Sequence, residues 1–219
     1  MSGIDASLAR SVPALDFAIE SSEAVRYAAA PTIAFRLAVD SDTEIRSLML
    51  SAQIRIAAPE RAYDEATKAR LIDLFGAPES WGRTLRSLLW THTTLLVPAF
   101  SGTTTVDLPV SCTYDFEVAA AKYLYAVEHG EIPLEFLFSG TVFFGGEGGA
   151  LRTARISWES EAAFRMPVAV WRDAVENHFP GSAWLRVRRD VFDRLVAYRT
   201  SHALPTWEAV IDDLLKGRT

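Results

Sequence analysis

Cysteine is nearly missing: Cys112 is the one thiol in 219 residues. One cysteine closes no internal disulfide and builds no structural zinc site, so neither staple is expected and no oxidising compartment is indicated. Lysine is scarce, with three residues against nineteen arginines. Positive charge is outnumbered, 22 basic side chains to 28 acidic ones, for a net charge of −6. That balance argues against a dedicated nucleic-acid binder, which needs a basic face to neutralise phosphates. Long apolar runs are lacking. The longest uncharged run, Ser87 to Val106, has the length to span a bilayer, but His92, Pro98, Gly102 and six threonines break it into strands and a turn. The opening MSGIDASLARSVPALDF has Asp5, Arg10 and Asp16 where a secretory signal needs an apolar core. The reading is a soluble, cytoplasmic protein with no membrane partner.

What is present is ordinary globular material, 49% hydrophobic and 23% charged. A chain of this length buries roughly 70% of its unfolded surface on folding, enough for a core without staples. A single domain over 1–219 is expected. It divides into a lead-in at 1–12, a mainly β core at 13–165 and a helical part at 166–219. Leu15, Phe17 and Ile19 alternate, as do Ile33, Phe35, Leu37 and Val39. Leu48, Leu50, Gln53, Ile54 and Ile56 suggest a third strand with an irregularity near Gln53. Asp40-Ser41-Asp42 between the last two runs predicts a turn. Asp64 to Phe75 changes to a helical period, with Asp64 as N-cap and Gly76 as C-cap, and Trp81 is expected to pack that crossover. Strands follow at Arg83–Val97 and Thr103–Cys112, then a helix over Phe116–Glu128 capped by Asp115. Ile132–Phe144 and Leu151–Ser157 read as a hairpin around a glycine loop, with a short edge strand at 161–165. Helices are predicted at Val168–Phe179, Asp190–His202 and, capped by Thr206, the final segment. Strands first and helices last give an α+β fold: an antiparallel β-sandwich-like core with a mid-chain helix and C-terminal helices packed on it.

The residues name no chemistry. His92, His129, His178 and His202 are far apart, and Glu128-His129 lacks the second histidine of a metalloprotease motif. Cys112 ends an alternating strand through Val106, Leu108 and Val110, so it reads as a small buried hydrophobe. Ser139 lies inside a strand without a nucleophile elbow. Glycines 145, 146, 148 and 149 link two strands, so no helix N-terminus stands ready for a phosphate. Glu159 and Glu161 are not matched as acid and base. No catalytic, metal or cofactor residue is assigned, and no cofactor is expected.

Charge is unevenly placed. From 87 to 151 there are seven acids and only Lys122; from 152 to 199 there are nine arginines and six acids. One reading makes the acidic middle a docking surface, with Glu128, Glu131 and Glu147 its candidate residues. The other has Arg186, Arg188 and Arg189 hold those carboxylates, or touch an acidic partner themselves.

The runs Leu88-Leu89-Trp90-Thr91, Cys112 to Leu124, Pro133 to Phe144 and Arg165 to Trp171 resemble a bacterial domain family of unknown function. That family is associated with gene clusters of high-affinity nickel–iron uptake hydrogenases. The resemblance runs from about Val12 to Leu215. It implies an accessory role in hydrogenase assembly or maturation, with a hydrogenase subunit or maturation factor as partner. It carries no catalytic residue. The expectation is a non-enzymatic interaction protein. The alternative is a small enzyme or ligand-binding domain whose site is assembled from distant residues. A deep pocket with converging polar groups would favour the alternative, and a flat apolar patch with a polar rim the first.

Overall fold

The computed structural model describes residues 12–112, 118–146, 149–182 and 186–217. They fall into two compact units, one ending at residue 183 and one beginning at 184. The first unit contains seven antiparallel strands: β1 (Leu15–Ala24), β2 (Thr32–Ile56), β3 (Leu88–Val97), β4 (Phe100–Ser111), β5 (Glu131–Gly145), β6 (Leu151–Arg155) and β7 (Glu161–Pro167). Its helices are α1 (Glu65–Phe75), α2 (Trp81–Thr84), α3 (Ala119–Ala126) and α4 (Val168–Glu176). The second unit holds α5 (Arg189–Ser201) and α6 (Trp207–Lys216).

β2 organises the first unit. Its N-terminal half pairs with β1 on one edge and β4 on the other. Its C-terminal half pairs with β3 and β5. β5 then carries β7 along its first half and β6 along its last residues. Were β2 straight, Phe35 and Ile54 would lie roughly 60 Å apart at strand rise. Yet Phe136, which pairs with Ile54, has its ring 5.1 Å from that of Phe35. Phe164 of β7 and Trp90 of β3 also meet Phe35 edge-on, at 6.1 and 6.2 Å. The strand therefore folds over, and its two halves face each other across the core. This is the α+β, sandwich-like architecture.

The turn expected at Asp40-Ser41-Asp42 is not there. The chain stays extended, and the irregularity appears as register shifts between Ser41 and Ile45 and between Ile45 and Ser47. Extra residues in a strand bend it and raise its twist. The polar residues satisfy this bend locally. The Ser41 hydroxyl accepts from the Thr43 amide at 3.2 Å, and Asp42 accepts from the Ala14 amide at 3.1 Å. The buried set changes phase across it: Ile33, Phe35, Leu37, Val39 and Ile45 before, then Leu48, Leu50, Ala52, Ile54 and Ile56. Near Gln53, the β2–β3 register does shift, between Ile54 and Arg55.

α1 forms where the sequence places it. The Asp64 carboxylate accepts from the Thr67 amide at 2.6 Å, and Gly76 ends the helix at φ 74°. Trp81 is buried against Tyr63 and Phe75, and its indole N–H donates to the Gly76 carbonyl at 2.9 Å. α2 takes the start of the segment read as a strand from Arg83, so β3 begins at Leu88. α3 is shorter than Phe116–Glu128, and its expected cap, Asp115, lies outside the described residues. α3 packs on α1, and α4 on β1 and β2.

In the second unit the Thr206 hydroxyl accepts from the Ala209 amide at 3.2 Å, capping α6 as expected. Phe192 meets Trp207 at 5.5 Å, and the Arg199 guanidinium lies 5.0 Å over the same indole. A buried face was expected on α5 at Val191, Leu195, Val196 and Tyr198. None of its residues is buried, and Val196 is exposed. One helical neighbour of ten residues is too narrow to cover that stripe.

Candidate functional site

Buried polar groups come first, because an active site needs them. Tyr63 and Tyr123 join hydroxyl to hydroxyl at 2.8 Å, and the Tyr63 hydroxyl is 2.7 Å from the Ala58 carbonyl. A phenol has one proton to give, and a carbonyl can only accept. Tyr63 therefore donates to Ala58, and Tyr123 donates to Tyr63. Burial pushes both phenols above their ordinary range, and for Tyr63 the neighbouring Tyr123 adds to the shift. Beside them Arg61 donates to the carbonyls of His129 and Glu131, tying the loop before β5. Apart from the bond between the two phenols, these bonds end on the protein's own backbone, and they fasten α3 and β5.

Cys112 closes the alternation of β4, is buried, and has its thiol pushed up to about 12 by burial alone. A thiol held neutral is a poor nucleophile. The four histidines lie in different surroundings, and the rings of two of them, His178 and His202, are held by contacts within the fold. His92 sits opposite Gln53 on the exposed side of β3. The His129 carbonyl is taken by Arg61. The ring nitrogens of His178 face the Ala28 and Ala174 carbonyls at 2.8 and 3.1 Å. His202 stacks on Tyr198 at 4.0 Å. Among the described residues, no three His, Cys, Asp or Glu side chains converge as a metal site. Ser139 faces outward on β5, opposite Ser51.

Glu128 pairs with Arg70 at 3.1 Å. Glu131 opens β5 with an exposed side chain. Glu147 lies outside the described residues. Arg188 pairs with Asp190 and Arg189 with Asp193, each at 3.0 Å, and Arg186 precedes that helix. The arginine–carboxylate pairs thus form between sequence neighbours on α5, and Glu128 finds its cation on α1.

The feature the sequence reading missed lies on the outer face of β3–β2–β5. An open groove of about 330 Å³ runs there, with Met49, Leu96 and Gly140 on its floor and Ser51, Thr94 and Thr141 along it. Met49 and Leu96 are direct cross-strand partners and stand 58% and 65% exposed. Gly140, which also lines it, allows the close approach of β5 to β2: a Cβ there would lie 2.0 Å from the Met49 carbonyl oxygen, and its φ of +147° suits only glycine. The sequence signal was a large apolar residue at the wet phase of each strand. A second, more enclosed cavity of about 410 Å³ lies between the 12–15 segment and the β6–β7 connection, with Arg155, Ser157 and Ser160 its polar groups.

No curated protein matches the chain. Two solved structures of β-glucosidase from Kluyveromyces marxianus, one selenomethionine-labelled and one in complex with glucose, align with it at 12% identity and TM-score 0.25. The alignment takes in 70% of this chain but only 15% of theirs, and similarity of that order carries no argument. A family model described as "Family of unknown function (DUF6084)" matches residues 12–219.

Proposed function

The chain belongs to the DUF6084 family of unknown function, and from that premise we propose that it is a non-enzymatic accessory protein that binds a protein partner in the cytoplasm. The observation that carries this reading is the groove on the outer face of β3–β2–β5. It is open and apolar, and Met49 and Leu96 stand in water where strand alternation calls for polar side chains. The partner class follows from the resemblance to proteins of nickel–iron hydrogenase clusters: a hydrogenase subunit or a maturation factor. Of the acidic residues Glu128, Glu131 and Glu147, Glu128 is paired with Arg70, and Glu131 stands exposed at the start of β5, where its charge would speed approach of a basic partner surface. No helix among the described residues is long and apolar enough to cross a membrane.

The test is binding kinetics with purified hydrogenase subunits and maturation factors. Met49→Asp with Leu96→Asp should raise the dissociation rate at least tenfold. Charge reversal at Glu128, Glu131 and Glu147 should slow association at low salt and leave the circular dichroism unchanged. Binding indifferent to both sets rejects the proposal. The alternative, a small enzyme or ligand-binding domain, is favoured by the second cavity and its Arg155. It predicts instead that Arg155→Ala abolishes a small-molecule thermal shift.

A further inference from the structure

The walls of the second cavity, about 410 Å³ in volume, are fixed by backbone bonds. On one side the Ala14 amide donates to the Asp42 carboxylate at 3.1 Å, which ties the 12–15 segment to the bend of β2. On the other, the Ile156 amide donates to the Gly140 carbonyl at 3.1 Å, and the Phe138 amide to the Ser160 carbonyl at 2.8 Å. The β6–β7 connection is thereby pinned to β5 at both ends. A pocket whose walls are set beforehand spares a ligand the cost of ordering them.

The lining carries one sign of charge. Among the described residues Arg155 is the one charged side chain on it, and Arg155 makes no ion pair with any of them. Glu159 and Glu161, close by in sequence, are exposed and do not line it. The Ser157 hydroxyl accepts from the Glu159 amide at 3.3 Å, so its own proton is left to donate. The other hydroxyl on the lining is that of Ser160, and the rest is aliphatic: the 12–15 segment, Val142 and Ile156. No aromatic side chain among the described residues lines it, so a planar ring finds no face to stack on. A guanidinium presents paired N–H groups that match a carboxylate in shape and cancel its single charge. A phosphate monoester carries nearer two charges at neutral pH, and one arginine leaves it only partly neutralised. We propose that this cavity binds a small aliphatic monocarboxylate, its carboxylate on Arg155 and its hydrocarbon body against Leu15, Val142 and Ile156. This rests on the ligand-binding alternative above, narrows it to one class of ligand, and uses no residue of the β3–β2–β5 groove.

Hexanoate is the probe, titrated into the full chain by calorimetry up to about 10 mM, beside hexanol, hexylammonium and hexyl phosphate. Hexanoate should bind at least tenfold more tightly than hexanol, and hexylammonium should not bind. Arg155→Gln should weaken hexanoate at least tenfold with circular dichroism unchanged. Ala14→Leu, which fills space in the cavity and keeps the arginine, should weaken it as well. Hexanoate that does not bind, or that binds Arg155→Gln as tightly as the native chain, overturns the proposal. So does hexanol binding as tightly as hexanoate. Hexyl phosphate binding more tightly than hexanoate overturns the carboxylate class. The broader ligand-binding reading survives any of these results if another small molecule raises the melting temperature and Arg155→Ala removes the effect.

Discussion

At the scale of single residues, the two phenols and the thiol share a physical situation. Tyr63, Tyr123 and Cys112 are all neutral acids whose charged forms burial disfavours. In the unfolded chain they ionise at ordinary values, about 8.5 for the thiol and about 10 for the phenols. The unfolded state thus releases protons first as pH rises. Their contribution is complete below about pH 8.5 and is lost progressively above it, up to the folded values. The denaturant midpoint is expected to be flat from pH 7 to 8 and to fall steadily from pH 9 to 11. Tyr63→Phe should flatten the upper part of that decline while lowering the midpoint at pH 7. The lower midpoint arises because the Tyr123 hydroxyl loses its buried acceptor, at a cost of about 1–3 kcal/mol. A midpoint independent of pH up to 11 would refute the assignment.

At the scale of elements, the decisive contact is β5 against β2 at Gly140. Gly140→Ala sets a methyl carbon on the Met49 carbonyl and imposes a φ that alanine resists. The ladder must part there, and the expected loss is on the order of 4 kcal/mol by urea unfolding. A loss under about 1 kcal/mol would show that β5 can move away freely. What the sequence made legible at this scale was local chemistry. Asp64 reaching Thr67, Gly76 ending α1 and Thr206 reaching Ala209 are each settled within a few residues. What it concealed was global. Asp40, Ser41 and Asp42 look the same in a turn as in a bend of a continuous strand. Only β4 and β5, far along the chain, decide between them. The phase change from Val39 to Leu48 was visible, and it fits either outcome. The groove stayed hidden because Met49 and Leu96 become neighbours only through pairing of β2 with β3.

At the scale of the whole molecule, the large apolar cluster is confined to residues 19–174. That core has its own strands, caps and helices, so a chain ending at 183 is expected to unfold in one cooperative transition. Its strand circular dichroism and calorimetric midpoint should match those of the full protein within a few degrees. Loss of the transition on truncation would show that the sandwich depends on the last two helices. The bent strand β2 also dictates an order of assembly. Its residues 45–56 find their second neighbour only in 131–145, so that edge waits while the intervening chain is made. Closing so long a loop is slow, and the waiting edge is rich in Ile, Leu and Met. During synthesis the protein is therefore most exposed to misassociation before β5 emerges. A slow-translating stretch just upstream of Glu131 would harm yield without altering a single residue of the finished fold.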